Sequence, residues 1–285
     1  MKPVKNRIWE LDFLRGFAIL LVVFDHACYD FGQMFYQWKN SGSAFLQTLN
    51  GFSNDYLFGD VRLFWRAAFL FLFFFVSGVS TAFSRNNFLR GAKLWGVALA
   101  VSFVTKLADV VTESGGAFIL FGVLHCLATV ILLYAIADGM ISGAFYLVKK
   151  IRKKENKAWI KTLVCCLVFA AISAVGLWLH RTYNPKLADV SQKYMISSVD
   201  GRLGMFFYTR QWWTADYFPL IPFVSFFFMG AIVGKTLYRN KKTKLPLLAG
   251  VWHTPITFVG RHSLVVYLGG QVFFILLGLL LTNIL

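Results

Sequence analysis

Long apolar runs recur from one end of this sequence to the other, and that pattern leaves few folds open. A run of roughly 20 apolar residues crosses the hydrocarbon core of a bilayer as a helix. Lipid offers the backbone no hydrogen-bond partner, so a spanning segment must satisfy its own amides. About seven such runs can be read: Trp9 to Tyr29, Leu63 to Phe83, Leu94 to Val111, Phe118 to Ala137, Thr162 to His180, Leu220 to Leu237, and His262 to Leu281. The third is interrupted by Lys106 and Asp109. Charged residues make up 15% of the chain and hydrophobic ones 58%, against roughly 25% charged in a soluble domain. The expected fold is therefore an all-α integral membrane protein, a polytopic bundle of about seven transmembrane helices with short interfacial or re-entrant segments. Leu247 to Ile256 is too short to span and reads as such a segment, while Gly139 to Tyr146 extends span four or lies at the surface. With no internal repeat, low-complexity tract or separate soluble stretch, 1–285 reads as a single transmembrane domain. The first run carries charges and lacks a small-residue cleavage site, so it does not read as a signal peptide.

The formal net charge of +16 would suit nucleic acid, but the cations cluster in short loops between spans, which excludes that partner. Lys2, Lys5 and Arg7 precede span one; Arg85, Arg90 and Lys93 join spans two and three; seven lysines and arginines lie between Lys149 and Lys161; five more lead from Lys235 to Lys244. Every second loop is basic, which places the N-terminus in the cytoplasm and the C-terminus outside a cytoplasmic membrane. The opposite loops, Gly32 to Asp60 and Arg181 to Asp216, are long and rich in aromatic residues, which suit a membrane interface or a sugar ring. Four cysteines lie in apolar segments without metal-ligand or disulfide spacing, and no metal is expected.

Charged residues inside the first run need partners or a function. Asp12 and Arg15 are one turn apart and can pair. Arg15 and His26 are eleven residues apart, which brings them within about 20° of one face and roughly 16 Å apart along the axis. The helix thus carries a polar track, with His26, a side chain suited to general-base chemistry, near its outer end and Asp25 beside it. Arg62 and Arg66 open span two and can hold an anion or snorkel to headgroups. Ser77, in Phe75-Val-Ser-Gly-Val-Ser80, permits close helix approach. His125 lies in the outer half of span four as a second acid/base candidate or a hydrogen-bond partner. Asp216 belongs at the outer face, in a proline-bearing entry to span six. Gly260-Arg-His-Ser263 offers helix-start amides and two basic side chains, a fair anion site. With Arg85 and Arg90 it could hold the phosphates of a nucleotide-bearing cofactor. No GxSxG, P-loop, Rossmann or HExxH motif is present.

Ile8-Trp-Glu-Leu-Asp-Phe-Leu-Arg-Gly-Phe-Ala-Ile19 with His26 resembles the opening of transmembrane acyl-CoA-dependent acyltransferases, an opening also shared with the acyltransferase-3 family. Phe75-Val-Ser-Gly-Val-Ser80, Ser84-Arg-Asn-Asn87, Phe121-Gly-Val-Leu-His125, Ala215-Asp-Tyr-Phe-Pro-Leu-Ile-Pro222 and Gly260-Arg-His-Ser263 are similar to the bacterial branch of the heparan-α-glucosaminide N-acetyltransferase catalytic-domain family. The resemblance implies an acyl-CoA-dependent O- or N-acetyltransferase that moves acetyl from cytoplasmic acetyl-CoA to an acceptor at the outer face. It implies that Arg15 and His26 are essential. The eukaryotic enzymes are thought to use a histidine in the outer stretch after span one, where this chain has none between His26 and Arg62.

On that resemblance the expected catalytic set is His26, Asp25, Arg15, Asp12 and His125. Arg85, Arg90, Arg261, His262, Ser263 and Ser77 are expected to bind acetyl-CoA, with Ser77 also assisting at the outer end; Arg62, Arg66 and Asp216 are expected to meet the acceptor. The expected partners are the bilayer, acyl-CoA and a cell-envelope glycan or other acceptor, and a homo-oligomer is compatible. A proton-coupled permease would also need intramembrane Asp, Arg and His, though it favours broken helices in repeated halves. A non-catalytic membrane scaffold is the third reading.

Overall fold

The computed structural model describes residues 8–112, 117–152, 158–183, 196–197, 200–212 and 214–285. Lys2, Lys5, Arg7, Lys153, Lys154, Lys157 and much of the Arg181 to Asp216 stretch lie outside them. Among the described residues every extended element is a helix: α1 (Trp9–Tyr29), α2 (Ala44–Phe58), α3 (Asp60–Val79), α4 (Asn87–Thr112), α5 (Val123–Arg152), α6 (Ala158–Tyr183), α7 (Leu220–Thr236), α8 (Thr254–Arg261) and α9 (Ser263–Ile284). The chain is an all-α membrane protein. Five helices (α3 with its 3₁₀ extension, α4, α5, α6 and α9) are long and apolar enough to cross a bilayer. Each of the other two anticipated spans is a helix as well, but α1 carries Glu10, Asp12, Arg15 and Asp25 and α7 has only 17 residues. A count of seven spans is therefore not established.

Two boundaries differ from the sequence reading. Span four begins at Val123, not Phe118, because residues 117–122 form a loop. It then runs unbroken to Arg152, so Gly139 to Tyr146 is its continuation. The Gly32 to Asp60 stretch contains α2, a helix that its Asn, Ser and Gly content conceals.

The described chain divides into two compact units, Met1–Phe73 with Lys242–Leu285, and Phe74–Lys241. In the first, α1 crosses α8 with backbones touching. A Cβ on Gly16 would overlap the Ile256 carbonyl oxygen, and one on Gly260 the Asp12 carbonyl oxygen. Small residues allow such crossings where lipid removes the hydrophobic drive between helices. Beyond the crossing, α9 follows α1 step for step. Gly270 meets Val23, Tyr267 packs edge-on against His26, and Phe274 packs against Phe31. Phe35 fills the notch at Gly278, and Trp38 Nε1 donates to Thr282 Oγ1 at 2.8 Å.

Past Tyr29 the helix widens into a π-helical turn, Asp30–Met34. Such a turn disturbs the regular ladder and leaves carbonyls seeking donors. Asn50 of α2, 2% exposed, supplies one amide to the Phe31 and Gly32 carbonyls at 2.8 and 3.1 Å, and Asn54 reaches Gly32 at 3.2 Å. Asn50→Leu would take the Asn50 amide from the Phe31 carbonyl and leave Gly32 to Asn54, so it should destabilise the protein by about 1–3 kcal/mol, measured by thermal unfolding in detergent.

In the second unit α7 is almost wholly buried. Gly78 of α3 lies against the Phe227 carbonyl and Gly230 of α7 against the Phe75 carbonyl, a second glycine-to-glycine crossing. Aromatic rings fill the space around it: Phe74 stacks on Phe223 at 4.8 Å, and Phe169 meets Phe228 edge-on at 5.1 Å.

Candidate functional site

The polar residues of the first unit gather at two levels of α1. At its start, Asp12 lies between two arginines. Arg15 Nη1 donates to Oδ1 at 2.9 Å and Arg261 Nε to Oδ2 at 3.4 Å, while Arg15 also reaches the Gly260 carbonyl at 3.4 Å. The glycine crossing makes this possible by bringing the end of α8 onto the first turns of α1. Two guanidiniums thus face one carboxylate, with 24% and 38% of the Arg15 and Arg261 side chains exposed. Glu10 fastens the approach to α8 by accepting from Thr243 Oγ1 and the Lys244 amide, both at 2.7 Å. Trp9 stacks on His253 at 4.3 Å. His262 is exposed, its Nδ1 is 3.0 Å from the Phe258 carbonyl, and Ser263 opens α9 behind it.

Three turns further on, Asp25 and His26 point to different helices. Asp25 is buried and faces α2 and α3. Arg62 grips it with Nε at 2.7 Å and Nη2 at 3.0 Å, Arg66 lies 3.8 Å away, and Tyr56 donates its hydroxyl at 3.2 Å. Both carboxylate oxygens are therefore taken by groups of α2 and α3, and among the described residues no hydrogen bond joins Asp25 to His26. Arg62 and Arg66 likewise turn to Asp25. Burial, followed by the Asp25 charge and hydrogen bond, pushes the Tyr56 hydroxyl pKa up, so the phenol keeps its proton.

His26 is half-buried, its ring 5.7 Å from that of Tyr267. It makes no hydrogen bond among the described residues. One turn later Asp30, 3% exposed, accepts from Gln271 Nε2 at 3.0 Å on both oxygens. His26 and Asp30 on α1 thus face Tyr267 and Gln271 on α9, a pair of i,i+4 steps matched across the interface. The spacing of Asp30 from His26 was visible in the sequence; that of Tyr267 and Gln271 acquires meaning only once α9 is docked.

The remaining candidates belong to the second unit. His125 is buried with both ring nitrogens occupied: Nδ1 lies 3.3 Å from the Gly122 amide and Nε2 3.1 Å from Ser102 Oγ, which donates to the Ile119 carbonyl. Trp95 and Phe121 close around the ring. A nitrogen that accepts a backbone amide and another that meets a hydroxyl describe a neutral histidine holding a loop. Asp216 Oδ2 accepts the Val123 amide at 3.0 Å and so caps α5. It sits at φ 51°, a left-handed conformation that Asp tolerates better than most residues. Ser77 meets Arg90 Nη2 at 2.8 Å at the junction of α3 and α4, at the opposite end of α3 from Arg62. Ser77 is thus placed with the basic α3–α4 turn. Arg85 is exposed in that turn. No cluster able to hold a metal occurs among the described residues.

The family described as heparan-alpha-glucosaminide N-acetyltransferase, catalytic, matches residues 7–272. No curated protein and no solved structure gives a significant match. The match takes in α1 with its Asp12–Arg15 pair and His26, the α3–α4 turn, the cap at Asp216 and the α8–α9 junction. The chain belongs to the heparan-α-glucosaminide N-acetyltransferase catalytic-domain family.

Proposed function

We propose that the protein transfers an acetyl group from cytoplasmic acetyl-CoA to an acceptor at the outer face of the cytoplasmic membrane, a hydroxyl or amine of an envelope glycan. The observation that carries this reading is the contrast between the two histidines. A general base needs a ring nitrogen free to take a proton. His26 makes no hydrogen bond among the described residues, whereas His125 has both nitrogens engaged. Family membership supplies the reaction class.

In this reading Arg15 and Arg261, with Asp12 between them, meet the anionic donor at the start of α1. Arginine suits phosphate because its fork forms paired charge-assisted bonds. His262, next to Arg261 at the α8–α9 junction, adds a basic side chain for the same ligand. The donor thioester reaches along α1 towards His26, roughly 16 Å away. His26 takes the proton of the acceptor as its oxygen or nitrogen attacks the thioester carbonyl. The tetrahedral intermediate then expels the CoA thiolate, which takes up a proton, and the acetylated acceptor remains. Asp12, shared between two guanidiniums, fixes their positions and takes no part in the proton transfer.

The test is CoA-dependent thermal stabilisation of the purified protein. Saturating CoA should raise the unfolding temperature, and Arg261→Ala should weaken CoA binding by about 1.5–3 kcal/mol, the range for hydrogen bonds to charged groups. A wild-type protein indifferent to CoA would remove the donor from the scheme.

A further inference from the structure

The second unit contains a cavity that the proposed reaction does not use. It has a volume of about 350 Å³ and lies between α6, the end of α7 and the 3₁₀ extension of α3, lined by Lys161, Thr162, Cys165, Lys235, Tyr238 and Arg239 among others. Three of these are cations. The acid beside them is Asp138 of α5, which accepts from Lys235 Nζ at 2.6 Å and lies 3.7 Å from Cys165 Sγ. That contact ties α5, α6 and α7 together, and the Lys235 ammonium also sits 5.9 Å from the ring centroids of Tyr134 and Phe169. Lys235 is thereby held in a fixed position at the cavity wall. Lys161 and Arg239 have no ion pair among the described residues.

We propose that this cavity is a binding site for a phosphate group. Among the described residues three cations stand against one carboxylate, so the cavity has a net positive charge that suits a phosphate. The phosphate can come from the bilayer, as the headgroup of an anionic phospholipid, or from solution. Basic pockets between spanning helices suit headgroups, and the same end of α6 and α7 exposes Trp159, Leu163 and Leu237, apolar surface along which acyl chains can lie.

Native mass spectrometry of the full chain, extracted from nanodiscs of phosphatidylcholine and phosphatidylglycerol, reads the first source. The wild type should retain phosphatidylglycerol, and Lys161→Ala with Arg239→Ala should lower that retention about 20- to 30-fold. Thermal shift with inorganic phosphate in uncharged detergent reads the second; a shift in the wild type that the double variant loses places a free phosphate in the cavity. Lys161→Arg with Arg239→Lys should keep whichever response is found, since charge is conserved. Lys150→Ala, an exposed basic residue that does not line the cavity, is the control. If neither probe distinguishes the double variant from the wild type, or if Lys150→Ala lowers retention equally, the cavity is not a phosphate site. Displacement of the lipid or phosphate by CoA would assign the cavity to the acyl donor and overturn the proposal of a separate site.

Discussion

His26→Ala should leave a folded protein that still binds CoA yet transfers acetyl about 100- to 10,000-fold more slowly, the usual cost of losing a general base. The variant removes a half-buried ring from an edge contact with Tyr267 and no hydrogen bond among the described residues, so the change in stability should be small beside the change in rate. His26→Gln retains a polar side chain of similar reach but cannot take the proton, and it should fail nearly as badly. Consumption of acetyl-CoA measures turnover, and CoA-dependent thermal shift reports binding separately. His125→Ala should do the reverse: it empties a buried site between Ser102 and Gly122 and should lower stability before it touches chemistry. Wild-type turnover in His26→Ala would take the base away from α1 altogether.

Asp25→Ala should destabilise the protein by about 3–5 kcal/mol, because it leaves the Arg62 guanidinium buried without the carboxylate it grips. The companion experiment replaces both partners. Asp25→Leu with Arg62→Met removes the stranded charge as well as the pair, so it should recover most of the stability lost in the single variant. Denaturation in detergent micelles measures both. A single variant as stable as the wild type would mean that water reaches the pair freely. The result also bears on chemistry: a carboxylate held by a guanidinium on both oxygens is a tie between helices and a poor base.

The sequence discloses this fold unevenly, for physical reasons. The limits of α1 coincide with those read from its apolar run, which polar residues, Arg7 before it and Asp30 after it, mark off in the sequence. The Asp12–Arg15 pair followed from an i,i+3 step. Local spacing could not reveal that Arg62 reaches back 37 positions to Asp25, or that Asp216 caps a helix 93 positions earlier. Both looked like outer-face ligand groups because charge at a span end has two uses, and only tertiary contact separates them. α2 escaped notice because its buried residues include Asn50, which serves the π-helical turn, and Ser53, which bonds the Leu49 carbonyl of its own helix; both imitate a loop in composition. Asp30 was passed over for lying just beyond the apolar run, although α1 continues through the turn and keeps it against α9.

The contact of Gly16 with Gly260 has a consequence for how an anion would be met. Arg15 and Arg261 are 246 positions apart, yet each sits beside a glycine whose backbone presses on the opposing helix. Their mounting points cannot drift, and Asp12 holds both heads in place before any ligand arrives. The ordering of two long, flexible side chains is thus completed when the chain folds, and an incoming anion need only displace water and compete with one carboxylate. Enlarging either glycine would separate the helices and leave two guanidiniums that move independently, weakening capture without altering a single charged residue.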